Sequence, residues 1–178
     1  MAERKFIIRL NGLPVGCHLY EFKVNDSFFD TRALNYSDSD IKGANIKAEV
    51  ELLKQNSIIT LTFILSGTLS VLCDRCTKPY DVEIDSVEKM HLRFGNPDEP
   101  HAEDVFVLPQ GENELDISTP LFEFITLALP VRLVPCEEDE TFKCDEETLT
   151  KLNAISVDKP ESIQGASIWD TLKDVNKN

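Results

Sequence analysis

Four of the five cysteines in this 178-residue chain form two groups whose thiols could bind a metal ion. Cys73 and Cys76 have two residues between them in the segment CDRCTKP, and a tight turn with this spacing can direct both sulfurs at one cation. Cys136 and Cys144 have seven residues between them, so they can act as a second pair only if the intervening acidic loop folds back. Four thiolates in a tetrahedral arrangement would make a closed, structural site. We therefore predict that Cys73, Cys76, Cys136 and Cys144 bind one zinc ion.

Two other interpretations of these cysteines stay open. The thiols could be reduced and without a metal, or Cys73 and Cys76 could form a dithiol pair for redox chemistry. A reactive C-x-x-C usually opens a helix, whose N-terminus lowers the thiol pKa, whereas this one is predicted to join two strands. His101, in the acidic region, could replace one cysteine as a ligand. Cys17 lies in an apolar strand segment and is predicted to be a buried small hydrophobe.

The first cysteine pair is predicted to lie at the tip of a β-hairpin. Apolar and polar residues alternate along residues 46–52 and again along 59–65, a pattern that predicts an antiparallel hairpin with one buried face. Gly67 permits a bend or a bulge before the second strand continues into the cysteine segment. A further alternating strand covers residues 80–94. Residues 73–79 are therefore predicted to connect the second and third of these strands.

Two helices are predicted after the hairpins. Thr119 can cap the N-terminus of a central helix, Pro120 fits its first turn, and Pro130 ends it. Ser167 precedes Asp170 by three positions, in a capping-box-like arrangement that predicts a short terminal helix. We expect this terminal helix to dock on the protein's own core, and a partner-binding motif is the alternative.

These elements predict an α+β fold. It would consist of a mostly antiparallel, barrel-like β-sheet with one central helix, a short C-terminal helix and a zinc-knuckle hairpin. The length and the 42% hydrophobic content suit one domain, so residues 1–178 are predicted to form a single unit. Residues 98–115 are predicted to be an exposed acidic connection, in which 105–108 could add an edge strand. Residues 145–166 are predicted to be a polar segment before the terminal helix.

The charge of the chain limits its partners. The formal net charge is −14, and residues 98–147 contain 15 acidic and 2 basic residues. This balance argues against a protein that simply coats nucleic acid, and we expect no DNA partner. The acidic block is either a solvated surface or a binding surface for a basic partner such as a ribosomal protein.

Several classes of protein are not expected from the sequence. A membrane helix needs about 18 or more apolar residues, and no stretch reaches that length. The N-terminus lacks the apolar run of a signal peptide, so we expect a cytoplasmic protein without a membrane partner. No phosphate-binding Gly-rich loop, no G-x-S-x-G and no clear acid-base carboxylate pair is found. We therefore predict that the protein is not an enzyme.

Three segments resemble the YceD family, bacterial and plastid proteins described as large ribosomal RNA subunit accumulation factors. The segments are LSVLCDRCTKPYDVEI (69–84), LFEFITLALPVRLVP (121–135) and SIWDTLKDV (167–175), in the family's order. The resemblance implies a role in the accumulation or processing of large-subunit ribosomal RNA, and so in ribosome assembly, with no established catalytic activity. Cys73 and Cys76 match the family's C-x-R-C, whereas Cys136 and Cys144 fall where relatives place further Cys or His residues with variable spacing.

The implied partners are a ribosomal protein or an assembly intermediate first, and large-subunit ribosomal RNA second. The nearly neutral first half of the chain has enough Lys and Arg for a local RNA-facing patch, although a solvated strand face is the simpler interpretation. Two alternatives from other classes stay open. One is a thiol redox enzyme or sensor that uses the CDRC dithiol, and the other is a protein-interaction module unrelated to ribosomes.

Overall fold

The computed structural model describes residues 6–33, 41–96, 105–138 and 142–155. The chain divides into two compact units, residues 1–143 and residues 144–178. The elements of the first unit are, in chain order, β1 (Ile7–Arg9), β2 (Gly16–Asn25), α1 (Asp26–Ala33), β3 (Ile41–Lys54), β4 (Ile59–Leu72), β5 (Pro79–Gly95), β6 (Val105–Pro109), β7 (Glu114–Asp116), α2 (Ser118–Leu127) and α3 (Pro135–Glu138). The described part of the second unit contains α4 (Glu146–Ile155).

The main sheet has five strands in the order β2-β3-β4-β5-β6. Its first four strands are antiparallel, and β6 runs parallel to β5. Lys54 of β3 pairs with Ile59 of β4, and Leu72 of β4 pairs with Pro79 of β5. Both predicted hairpins are therefore present. A separate pair is formed by β1 and β7, which are antiparallel.

One face of the main sheet carries the core, as the alternation predicts. The buried residues of β3 and β4 are Ile46, Ala48, Val50, Leu52, Ile59, Leu61, Phe63, Leu65, Leu69 and Val71. Helix α2 contacts this face, where the rings of Phe63 and Phe124 lie 5.1 Å apart. Phe122 contacts Phe29 of α1 with a centroid distance of 5.9 Å. Each large apolar side chain buried here contributes about 1.5–3 kcal/mol, so the sheet and these helices form a substantial core.

The α+β class and the largely antiparallel sheet are confirmed, but the sheet is not a closed barrel in the described part of the chain. Closure requires the first and last strands of a sheet to pair. Here β2 pairs with β3 and β6 pairs with β5, so the sheet ends in two edges.

Gly67 lies in the middle of β4, and its backbone needs glycine. Its φ is +150°, and a Cβ placed there would lie 2.2 Å from the carbonyl oxygen of Asn45. The register with β3 nevertheless passes through Gly67 without a shift, and the irregularity lies between Ile41 and Gly43 instead. Gly67 therefore permits a close approach of β4 to β3 and not the bulge that was one of its two predicted roles.

Helix α2 begins two residues earlier than predicted, at Ser118. The Asp116 carboxylate accepts the backbone N–H of Ser118 at 2.8 Å and also its hydroxyl. Thr119 is inside the helix, so the prediction that it caps the N-terminus is wrong. At the other end, the N–H of Ala128 donates to the carbonyl of Phe124 at 3.0 Å. The helix ends before Pro130, as predicted.

Two predicted loop regions contain regular structure. The predicted edge strand is present as β6, and β7 follows it within the region predicted as an acidic connection. The region predicted as a polar segment contains α4. This helix begins with the Asp145 side chain accepting the N–H of Thr148 at 2.8 Å, and Lys151 pairs with Glu147 at 2.7 Å. The terminal helix predicted from Ser167 lies outside the described residues.

No helix in the described residues has the length and apolar character needed to cross a membrane.

Candidate metal centre

A tight turn at the tip of the β4–β5 hairpin carries the first cysteine pair. The N–H of Cys73 donates to the carbonyl of Lys78 at 3.0 Å, and the N–H of Thr77 donates to the carbonyl of Cys73 at 2.8 Å. Thr77 has a φ of 58°, in the left-handed region that few residues other than glycine adopt. Cys73 and Cys76 are buried, whereas the two residues between them are exposed. The turn therefore brings both thiols out of contact with solvent.

Asp74, between the two cysteines, connects this turn to the segment after α2. Its N–H donates to the carbonyl of Leu133 at 2.8 Å, and its carboxylate accepts the N–H of Leu133 at 2.6 Å. These two bonds join residues 59 positions apart in the chain. Because Leu133 is three residues before Cys136, they bring the second cysteine segment to the hairpin tip.

Ion pairs around Glu137 add to this connection. Arg132 binds the Glu137 carboxylate with two nitrogens, at 2.9 and 3.0 Å, and Arg75 approaches it at 3.7 Å. Both arginines therefore contact the acidic charge next to Cys136. The side chains are substantially exposed, so the pairs contribute at most about 1 kcal/mol each. Their main effect is to offset the negative charge of Glu137, the residue after Cys136.

Lys78 and Tyr80 contact Phe142 and Lys143, at the C-terminal end of the acidic loop. The Lys78 ammonium donates to the carbonyl of Lys143 at 3.2 Å and lies 5.0 Å from the centre of the Phe142 ring. The Tyr80 and Phe142 rings are 5.5 Å apart. The loop after Cys136 thus returns to the hairpin tip, as a second half-site requires.

Cys73 and Cys76 are two buried thiols of the first unit and could supply two ligands to a metal ion. Cys136 lies in α3, which also belongs to the first unit. Cys144 follows directly after Lys143 and is the first residue of the second unit. The structure therefore places three of the four predicted ligands in the first unit, and the four-cysteine zinc site stays a prediction.

The donor set fits zinc when all four sulfurs are reduced. Zinc–sulfur bonds of about 2.3 Å place tetrahedral sulfurs about 3.8 Å apart. A disulfide holds its sulfurs at about 2.05 Å and removes two thiolates. A four-thiolate zinc site therefore requires Cys136 and Cys144 to be reduced.

Cys17 does not have the buried environment that the sequence predicted. It is exposed, on the face of β2 that points away from the core, so the prediction that it is buried is wrong. The reason is that its neighbours His18 and Tyr20 supply the partly buried positions of this edge strand. His18 contacts the carbonyl of Pro14 at 3.0 Å. His101, the other candidate ligand, lies outside the described residues.

The sequence missed the residues that assemble the site. Asp74 and Leu133 have no motif that identifies them as partners, because a backbone contact carries no side-chain signature. Thr77 was equally hard to identify, since threonine rarely adopts a positive φ. A weak signal existed for Phe142, a lone aromatic residue in an acidic loop, which packs on Tyr80.

One family model matches residues 61–175 of the chain, and its description is "Large ribosomal RNA subunit accumulation protein YceD". The matched range contains β4, the cysteine turn, β5 and α2. No curated protein and no solved structure matches the chain.

Proposed function

The chain belongs to the YceD family of large ribosomal RNA subunit accumulation proteins, and from this we propose that it is a non-enzymatic ribosome-biogenesis factor. In this proposal it supports the accumulation or processing of large-subunit ribosomal RNA. The family name suggests a role with this RNA, and YceD is not known as an enzyme family.

The observation that carries the proposal is the extent of the family match. It covers residues 61–175, and within it lie the cysteine turn and the helix that packs on the core. The best-defined chemistry in the described residues is the buried thiol pair of Cys73 and Cys76, which suits a structural metal. Such a site fixes a surface for binding and performs no reaction itself.

Depletion of the protein from its own cells tests this role. We expect large-subunit ribosomal RNA to fall relative to small-subunit RNA and subunit precursors to accumulate. Expression of the wild-type chain should restore the ratio, and Cys17→Ser should do so equally, since Cys17 is exposed and outside the family match. Unchanged RNA levels and normal subunit profiles after depletion would contradict the proposal.

We further propose that Cys73, Cys76, Cys136 and Cys144 bind one structural zinc ion. Support comes from the burial of Cys73 and Cys76 and from the contacts that return the acidic loop to the hairpin tip. Zinc would replace apolar burial at a place where the surrounding residues are mostly charged.

Metal analysis of protein purified under reducing conditions tests the zinc site. We expect about one equivalent of zinc per chain, lost in Cys73→Ser and in Cys136→Ser but retained in Cys17→Ser. Retention of a full equivalent by Cys136→Ser would limit the site to the other three thiols.

A second candidate function is a thiol redox sensor or enzyme that uses Cys73 and Cys76, which are buried at the hairpin tip and are not joined in a disulfide. A sensor would be purified without metal and would cycle between a Cys73–Cys76 disulfide and two thiols when treated with glutathione and its disulfide. Stoichiometric zinc together with four unreactive thiols would exclude it.

The remaining parts of the proposal concern location and partners. We place the protein in the cytoplasm, in contact with a ribosomal protein or an assembly intermediate and secondarily with large-subunit RNA. Affinity capture from cells with and without nuclease separates these partners. A ribosomal protein that stays bound after nuclease treatment supports direct protein contact, whereas its complete loss supports association through RNA.

A further inference from the structure

Strand β5 leaves part of one edge without a partner strand. On one side it pairs with β4 from Pro79 to Leu92, but on the other side β6 pairs only with His91–Gly95. Among the described residues, no strand pairs with this second edge between Asp81 and Met90. The backbone N–H and C=O groups of an open edge can bind an extended segment of another chain.

The hydrogen bonds of the hairpin determine which backbone groups lie at this edge. The N–H of Cys73 donates to the carbonyl of Lys78, so these residues form a hydrogen-bonded pair. Pairs of this kind alternate along an antiparallel ladder, so even-numbered residues of β5 bond to β4 and odd-numbered ones direct their N–H and C=O away from it. The residues at the open edge are Asp81, Glu83, Asp85, Val87 and Lys89.

The side chains of these same residues are exposed and begin with a row of carboxylates. Asp81, Glu83 and Asp85 lie two residues apart on the face of the sheet that points away from the core. Their neighbours on β4 bear hydroxyl groups and no charge: Ser70, Thr68 and Ser66. Within the described residues, none of the three carboxylates takes part in an observed ion pair.

Lys47 lies in the same cross-strand row as Asp85, but its ammonium already contacts other carboxylates. Lys47 pairs with Ser66, which in turn pairs with Asp85. The ammonium of Lys47 contacts Glu49 and lies 3.5 Å from Glu21. The hydrogen bond to Glu49 and the charges of both carboxylates raise the pKa of Lys47, although desolvation opposes the shift. Lys47 therefore stays charged and bound to its own partners, and it leaves the β5 carboxylates to an external group.

We propose that the edge of β5 from Asp81 to Lys89 binds, by strand addition, an extended segment of a partner protein that carries Lys or Arg at alternate positions. In an antiparallel addition, alternate residues of the partner lie directly opposite Asp81, Glu83 and Asp85, about 5.5 Å away between Cα atoms. Opposite charges at such positions stabilise the pairing and like charges oppose it.

Charge also decides against a second copy of this chain as the occupant. A symmetric pairing of two β5 edges centred on Glu83 places Asp81 opposite Asp85, which is destabilising. A pairing centred on Val87 places Asp85 opposite Lys89, but it sets Asp81 and Glu83 against residues of β5 that already pair with β6. A basic segment opposite Asp81, Glu83 and Asp85 has neither conflict. The proposal names a partner surface for the protein contact in the proposed function and rests on it for its biological setting, but peptide binding is a property of the purified protein.

The test uses the full chain labelled with ¹⁵N and a ten-residue peptide in which lysine and threonine alternate. We expect the peptide to shift the backbone amides of Asp81, Glu83, Asp85 and Val87, with an affinity that falls as salt is added. The control peptide has the same composition with its lysines consecutive, and it should bind about tenfold more weakly because its charges lose the register of the carboxylates.

Four variants separate strand addition from general charge attraction. The triple variant D81N/E83Q/D85N should weaken binding about tenfold, whereas E51Q/E112Q/E123Q, with the same change in net charge on other elements, should change it less than about twofold. Val87→Pro keeps every carboxylate and every bond to β4 but removes one N–H from the open edge. We expect it to weaken binding several-fold compared with Val87→Thr.

Equal affinity for the two peptides would overturn the proposal. So would amide shifts confined to another edge such as β2, or concentration-dependent self-association of the protein through β5. Preferential binding of single-stranded RNA at the same amides would also overturn it. Any of these can occur while depletion still lowers large-subunit RNA, so failure here is distinguishable from failure of the proposed function.

Discussion

Among single residues, Asp74 connects the cysteine turn to the segment after α2, since it bonds to Leu133 through both its backbone and its carboxylate. Asp74→Ala should lower the free energy of unfolding by about 1–2 kcal/mol, because a charged acceptor is removed from a partly buried N–H. Asp74→Asn keeps an acceptor and should lose less. Urea denaturation measures both changes. Glu112→Ala, at an exposed position, should stay within about 0.5 kcal/mol, and an equal loss in the two alanine variants would contradict this role.

The same scale shows what spacing can and cannot predict. Two cysteines separated by two residues indicate one shared metal ion, because a tight turn of this length can direct both sulfurs at the same cation. The partners of Asp74 and Lys78 lie 59 and 65 positions away, so no local pattern identifies them. Cys17 was misplaced for a related reason: β2 is an edge strand, and the burial of its two faces depends on neighbours that the sequence does not name.

At the scale of elements, Gly67 makes the close pairing of β3 and β4 possible. A Cβ at this position would lie 2.2 Å from the Asn45 oxygen and 2.8 Å from the Ile46 Cα, so Gly67→Ala should cost at least about 3 kcal/mol. Gly12→Ala is the matched control, since Gly12 also has a positive φ but nothing within 4 Å. It should cost only about 1–2 kcal/mol of backbone strain. Similar losses in urea unfolding of the two variants would show that contact with β3 is not what requires glycine.

The strands were more predictable than the helix ends. Alternation along β3 and β4 identified the core face, because burial on one face of a sheet imposes a two-residue period on the sequence. The start of α2 was missed since the capping carboxylate of Asp116 belongs to the preceding strand and not to the helix motif. Helix α4 was missed because none of its residues is buried. Its stability comes from the Asp145 cap and local pairs such as Glu147 with Lys151, and not from an apolar stripe.

At the scale of the whole molecule, the apolar core and the cysteine cluster are separate sources of stability. The core cluster extends over β3, β4, α1 and α2 and includes none of the cysteines. Small zinc domains unfold without metal because they have little else to hold them. A chain with this much buried apolar surface has no such dependence, so the metal is expected to order the hairpin tip and the segment after α2 and not to create the sheet.

Zinc removal tests this separation. In reduced protein with free zinc about a thousandfold above its dissociation constant, binding adds about 4 kcal/mol, which corresponds to roughly 8–16 °C in the melting temperature. A chelator should remove this increment while the far-ultraviolet circular dichroism at 25 °C stays that of a folded β-sheet.

Cys17→Ser should show the full increment, whereas Cys136→Ser and oxidised protein should show little of it, because both lack the complete set of thiolates. Loss of the sheet signal on chelation would mean that the core depends on the metal after all, and an unchanged melting temperature would mean that these four cysteines do not bind zinc.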